Sequence, residues 1–393
     1  MHPIVIIGSG MAGYAAAREF RKLNAEQELI MICSDDAANY AKPTLSNAYT
    51  GKKAPEQIAL GDAGKMAAQL NMQIRNHTWV KSIDAAAHQL LLQQADGAES
   101  KQAYSKLVLA VGANPIRLAI SGDGSDDIHV VNNLNDYKAF RGQIDQCAEK
   151  RVVILGAGLI GCEFANDLQN TGHNVTVIDL APLPLGRLLP AHVAEAFKQN
   201  LEDTGIHFAL STTVEKVSKD SAGHYLVTLA NGQNFKADIV LSAIGLQPNI
   251  ALAKDAGILT SRGVLTNAGL ETNQPDIYAM GDCAEVNGTL LPYVMPIMQQ
   301  ARALAKTLNG DRTAVHYPAM PVAVKTPAAP LTVLPAPLTA EVTWETDETE
   351  DGMLAKATDS EGTLRGFVLL GAAAGKQRLA LTKLVPDLIP LSV

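Results

Sequence analysis

The chain has 393 residues, 47% of them hydrophobic and 18% charged, the composition of a globular protein with a sizeable core. Its formal charge of −8 argues against nucleic acid or an anionic membrane as a partner, since both select a cationic surface. Cys33, Cys147, Cys162 and Cys283 form no close pair, so neither a zinc cluster nor a local dithiol is expected, and no metal site is assigned.

The N-terminal MHPIVIIGSG has no basic stretch before its short apolar run, and nowhere do roughly 20 apolar residues follow one another. A cytoplasmic chain without membrane insertion is expected. Residues 4–7 form a continuous apolar run, typical of a parallel strand buried on both faces. It leads into Gly8-Ser9-Gly10-Met11-Ala12-Gly13, and a helix is predicted over 11–23. In such a turn the first glycine allows the tight bend and the second lets backbone approach a pyrophosphate. The third lets helix and strand pack closely. The helix N-terminus then offers free N–H groups to the phosphates. A second strand, LIMIC, ends at Ser34, with Asp35 or Asp36 placed to accept a ribose hydroxyl.

The same pattern returns at 152–167, VVILGAGLIGCEFAND, with Gly156, Gly158 and Gly161 between a strand and a helix. The following strand, NVTVID, ends in Asp179. Two complete units imply two dinucleotides, and a flavin with a nicotinamide is the combination that allows hydride to pass between rings. Asp179 favours NADH, because a carboxylate accepts a 2′-hydroxyl and repels a 2′-phosphate, although Arg187 is close in sequence. Three further segments surround the second unit: KLVLAVGANP at 106–115, IVLSAIGLQPN at 239–249 and DIYAMGDCAE at 276–285.

This order resembles the FAD/NAD(P)H pyridine nucleotide–disulfide reductase superfamily. The resemblance implies an α/β fold with two Rossmann-like domains, a discontinuous FAD domain (1–113 and 244–326) and an inserted NAD domain (114–243). A small α+β C-terminal domain, 327–393, follows. FAD would sit on Gly8, Ser9, Gly10, Met11, Ala12 and Gly13 with Ser34 and Asp35, and Asp282 would bind its ribityl chain. NAD would sit on Gly156, Gly158, Gly161 and Asp179. A disulfide reductase needs a cysteine pair beside the flavin, which this chain lacks, so the resemblance leaves the branch that reduces small iron proteins and peroxidase-like relatives that use one cysteine, for which Cys33, at the end of a strand before the ribose acid, reads as structural instead.

Within that branch, ANYAKPTLS at 38–46, YAMGDCAEVNG, LPYVMPIMQQARALA and AMPVAVKTPAAPL are similar to the rubredoxin-reductase subgroup. By that resemblance Lys42 lies beside the flavin ring, Lys325 and Val294 contact it, and Val80 lies on the adenine side. Glu163 is expected near the nicotinamide, with complementation of the helix N-terminus as the structural alternative. Lys42 and Glu163 are the expected catalytic pair.

The implied function is NADH-dependent reduction of rubredoxin in an electron chain serving alkane hydroxylation. The alternatives are a flavorubredoxin or ferredoxin reductase of a nitric-oxide or oxygenase system, or a slow flavin redox sensor resembling apoptosis-inducing-factor-like proteins. Docking to an acidic partner would need local cations, with Lys325, Lys376, Arg378 and Lys383 as candidates. Short strands followed by a helix near 375–385 are expected at the C-terminus, with acidic ETDETED at 345–351 as a solvated turn.

Overall fold

The computed structural model describes residues 2–147, 149–337, 340–349 and 352–389. Both glycine turns lie at the centre of a parallel sheet. Strand Ile4–Ile7 is buried along its whole length and pairs with Leu29–Ile32 on one side and Lys106–Leu109 on the other. Gln73–Arg75 and Ile277–Ala279 complete five strands, so the sheet draws on two distant stretches of chain. Strand Arg151–Leu155 is likewise central in a second five-stranded parallel sheet, between Asn174–Ile178 and Ile239–Ser242. In each sheet the strand order reverses beside the glycine strand, which opens a crevice at the strands' carboxyl ends.

The chain passes between the two sheets along an antiparallel ribbon of Ala113–Pro115 and Leu246–Pro248. Both strands contain the X-Pro pairs of KLVLAVGANP and IVLSAIGLQPN, and each is short enough for proline to be tolerated.

The C-terminal sheet is antiparallel, in the order Val322–Val324, Leu331–Leu334, Leu364–Leu370, Gly352–Thr358, Thr343–Thr349. The acidic 345–351 stretch departs from expectation: through Thr349 it is an edge strand, not a turn, and positions 350–351 lie outside the described residues. Period-2 alternation explains the difference. Glu345 and Asp347 face solvent while Trp344 and Thr346 are half-buried, and Lys356 lies opposite Glu345 and 3.7 Å from Asp347. The expected terminal helix is two short helices, Ala372–Gly375 and Arg378–Thr382, seated on the sheet through Ala374 and Leu381.

One hydrophobic cluster joins all three units. Leu45 and Ile58 come from the first, Ile154 and Phe164 from the second, and Val324, Leu331 and Val368 from the third. Removing this apolar surface from water fixes the three sheets against one another, at about 25 cal/mol for each Å² buried. The site lies at this junction.

Candidate nucleotide and electron-transfer site

The two glycine turns share one steric plan. A Cβ at Gly8 would lie 2.2 Å from the Ala110 carbonyl oxygen, and one at Gly13 would lie 2.0 Å from that of Gly8. At the second turn the corresponding distances are 2.6 Å from Ala243 O for Gly156 and 1.9 Å from Gly156 O for Gly161. The first and third glycines are therefore demanded by the protein itself, and Gly8 and Gly156 also have φ of +111° and +105°. The middle glycines differ. Nothing in the protein lies within 4 Å of a Cβ built on Gly10 or Gly158. Each is also the N-cap of its helix, Met11–Leu23 or Leu159–Gln169, and neither helix end carries a side-chain cap. The cradle is open, and its N–H groups are left for an anion.

The acids after the second strands bind back to these turns. Ser9 Oγ donates to Asp35 Oδ1 at 2.6 Å, and the Ala37 N–H donates to the same oxygen at 3.0 Å. Asp179 accepts from Ala157 N at 2.6 Å and from Ala181 N at 2.7 Å, one on each oxygen. Ser34 and Asp35 are exposed at the rim, Asp36 is half-buried, and Met11 and Ala12 open the first helix. Both acids are thus preset at the crevice mouth, where a ribose would lie beside the pyrophosphate site.

Asp282 ends its strand in the turn Gly281–Cys283 and is half-buried. It accepts no hydrogen bond among the described residues, and burial pushes its carboxyl above the ordinary aspartate value, opposed by the Lys42 ammonium. Lys42 Nζ donates to Asn132 Oδ1 at 2.6 Å; burial lowers its pKa, while Asp282 and Asp136 oppose that shift. A buried carboxylate lacking donors suits a ligand that brings hydroxyls. The turn itself is held by Gln300, whose Oε1 accepts from Gly281 N at 2.7 Å and whose Nε2 donates to Tyr317 Oη at 2.6 Å. These features fit FAD at the first cradle and a nicotinamide dinucleotide at the second.

Glu163 joins the second unit to two distant stretches of chain. It is the fifth residue of helix Leu159–Gln169, past the first turn, so it does not complement the helix N-terminus. Its Oε2 accepts from Ser46 Oγ at 2.6 Å and pairs with Lys325 Nζ at 2.5 Å; its Oε1 accepts from Lys325 N at 3.0 Å. Lys325, expected also as a docking cation, is therefore engaged inside the protein. Val294 is the first residue of helix Val294–Leu308 and is exposed beside Met295, whereas Val80 is half-buried against the first core. Lys376, Arg378 and Lys383 are exposed, and so are the adjoining Leu379 and Leu384.

All four cysteines are free thiols. Burial pushes Cys33 up to about 12 and Cys283 up to about 11, and raises Cys162 further. None is a ready nucleophile.

Ser46, Asn132, Gln300 and Asp167 take part without having been singled out in the sequence. Only Asp167 left a trace there, four residues after Glu163 on the same helical face.

Residues 2–306 match the family described as pyridine nucleotide-disulphide oxidoreductase, and residues 314–385 match a rubredoxin binding C-terminal domain. The chain is 76% identical over 391 residues to a rubredoxin-NAD(+) reductase of Acinetobacter baylyi, covering 99% of each chain. It is 42% identical to the protein of the same name from Alcanivorax borkumensis, over 99% of this chain and 100% of the other. Among solved structures, a ferredoxin reductase from Rhodopseudomonas palustris aligns at 25% identity with a TM-score of 0.86, covering 98% of this chain and 96% of that one. No helix among the described residues is long and apolar enough to cross a membrane. With two cradles of the same design, one discontinuous sheet and an end-to-end match, the chain belongs to the pyridine nucleotide-disulphide oxidoreductase family, in the group that includes these rubredoxin-NAD(+) reductases.

Proposed function

We infer that this protein is an FAD enzyme that oxidises NADH and reduces rubredoxin. The observation that carries the reading is the joining of two open dinucleotide cradles to a C-terminal domain that matches a rubredoxin binding description. FAD, when bound, supplies the conversion between a hydride pair and single electrons, which a one-iron acceptor requires. In this reading residues 1–113 and 244–326 hold FAD, 114–243 hold NAD, and 327–393 face the partner. The C-terminal sheet also borrows its first strand, Val322–Val324, from the end of the second FAD segment.

The chain's own residues then divide the work. Gly8, Ser9, Gly10, Met11, Ala12 and Gly13 receive the FAD pyrophosphate, and Ser34 and Asp35 flank its ribose. Val80 borders the adenine side, Asp282 accepts the ribityl hydroxyls, and Lys42, Val294 and Lys325 border the ring. Lys42 would place positive charge where negative charge grows on reduction. Gly156, Gly158 and Gly161 receive the NADH pyrophosphate and Asp179 its ribose. Glu163, held by Ser46 and Lys325, stands where the two units meet and orients the nicotinamide side. The proposed setting is the cytoplasm, with reduced rubredoxin serving alkane hydroxylation.

Stopped-flow mixing of NADH-reduced enzyme with rubredoxin or a [2Fe–2S] ferredoxin tests the acceptor. Rubredoxin should be reduced at least tenfold faster, and a preference for ferredoxin would overturn the assignment. A flavorubredoxin acceptor is the second reading, supported by 38% identity over 366 residues to nitric oxide reductase FlRd-NAD(+) reductases of Salmonella.

A further inference from the structure

Asp167 lies one helical turn beyond Glu163, so both carboxylates leave the same face of helix Leu159–Gln169. Glu163 meets the short helix Lys42–Asn47 at Ser46, and Asp167 grips the two residues that follow Ala48. Tyr49 N donates to Asp167 Oδ2 at 2.9 Å, Thr50 N donates to Oδ1 at 2.8 Å, and Thr50 Oγ1 donates to the Asp167 carbonyl at 3.1 Å. Asp167 is 3% exposed, and no described lysine, arginine or histidine forms an ion pair with it.

A buried, unpaired carboxylate is an expensive way to build a helix face, where an apolar side chain would stabilise more. Both of its oxygens are instead committed to backbone N–H groups of another unit. Those N–H groups stop the 42–50 segment from sliding, because a carboxylate meeting two successive amides allows one register only. The neighbouring Tyr49 side chain is clasped too: its hydroxyl donates to Asp145, which also accepts from Arg141 Nε at 2.9 Å. The Arg141 guanidinium lies 3.7 Å from the Tyr49 ring centroid, and His173 meets that ring edge-on at 5.1 Å. The clasped residues are continuous with Lys42 and Ser46, the residues that face the junction.

We propose that Asp167 is a positioning residue for hydride transfer: it fixes the Lys42–Thr50 segment, and with it the flavin side of the site, against the helix that begins at the nicotinamide cradle. The proposal rests on the reading of the two cradles given above. Hydride transfer requires reacting atoms held about 3–3.5 Å apart, and an error near 1 Å can cost on the order of a hundredfold in rate. Nothing in hydride transfer itself requires an acid at this position, and Asp167 touches neither cradle.

The test uses the FAD-loaded full chain carrying Asp167→Asn or Asp167→Leu. The first variant keeps one acceptor oxygen and the size of the side chain, so it is expected to fold even if the second, which leaves both N–H groups without an acceptor, does not. Three readouts are taken: amide exchange at Tyr49 and Thr50, the flavin difference spectrum on adding NAD(+), and the rate of flavin reduction by NADH. Faster exchange, an altered difference spectrum and flavin reduction slowed about tenfold or more support the proposal, with rubredoxin reduction by pre-reduced enzyme unchanged. Wild-type reduction and spectrum despite faster amide exchange would overturn it, as would wild-type amide protection in both variants. If the unaltered enzyme itself is not reduced by NADH, the functional reading fails instead, so the two failures are distinguishable.

Discussion

Lys325 holds both oxygens of Glu163: its backbone N–H meets Oε1 at 3.0 Å and its ammonium meets Oε2 at 2.5 Å. The two residues are 162 positions apart, and the carboxylate is 5% exposed. One side chain at the end of the second FAD segment, next to the first strand of the C-terminal sheet, thus completes the surroundings of an acid on the nicotinamide-side helix.

Glu163→Gln should therefore weaken more than one function. It leaves Lys325 without its counter-charge in a half-buried place, at a cost of about 2 kcal/mol in unfolding free energy. It should also raise the KM for NADH severalfold. A double-mutant cycle with Lys325→Met, followed by denaturant unfolding and steady-state kinetics, checks both. Additive losses would mean that the pair is not coupled.

The glycine turns predict two kinds of failure. Gly13→Ala and Gly161→Ala place a Cβ about 2 Å from a backbone oxygen, so soluble yield and unfolding midpoint should fall sharply. Gly10→Ala and Gly158→Ala place it in open space, so both proteins should fold. Gly10→Ala should lose FAD, measured as the ratio of flavin to protein absorbance. Gly158→Ala should keep FAD and bind NADH more weakly.

Asp282→Asn should trade stability against cofactor retention. The folded-state pKa is raised above the ordinary value of 3.8, chiefly by burial. The carboxyl's contribution to stability is therefore fully present below that ordinary value, and it is lost as pH rises through the raised one. At neutral pH the Asn variant escapes this cost. FAD-stripped Asp282→Asn should unfold at higher denaturant concentration than stripped wild type at pH 7, with the gap closing as pH falls toward 4. FAD dissociation from the variant should be faster, because an amide accepts hydroxyl donors less strongly.

Lys376, Arg378 and Lys383 are exposed close in sequence to Leu379 and Leu384, which are 70% and 64% accessible, on a domain that matches a rubredoxin binding description. Changing the three cations to Gln should lower kcat/KM for rubredoxin severalfold at low salt and flatten its salt dependence. Flavin reduction by NADH should not change. An unaltered salt profile would place the docking surface elsewhere.

Much of the fold was readable in the chain because its signals are local. A continuous apolar strand, three glycines at fixed spacing and a helix without proline specify a strand–turn–helix unit whatever lies around them. The acidic stretch at 345–351 differs from expectation through Thr349 because alternation, not charge, decides that an edge strand forms there. Trp344 and Thr346 already carried the period of a strand. Glu163 was visible as an unusual acid, but its partners, Ser46 and Lys325, come from distant segments that no local pattern names.

The sequence alone determined where the cradles are, since Gly13 and Gly161 are demanded by the carbonyls of Gly8 and Gly156 within the same turn. It also determined that no cysteine pair is available. Only the tertiary structure decided what each buried charge touches. Ser46 and Lys325 reach Glu163 across 117 and 162 residues, Asn132 reaches Lys42 across 90, and Tyr49 and Thr50 reach Asp167 from the turn after a distant short helix. Backbone turns obey short-range sterics that repeat in any context. A buried carboxylate must instead find donors wherever packing of the three units brings them, and no local pattern encodes that.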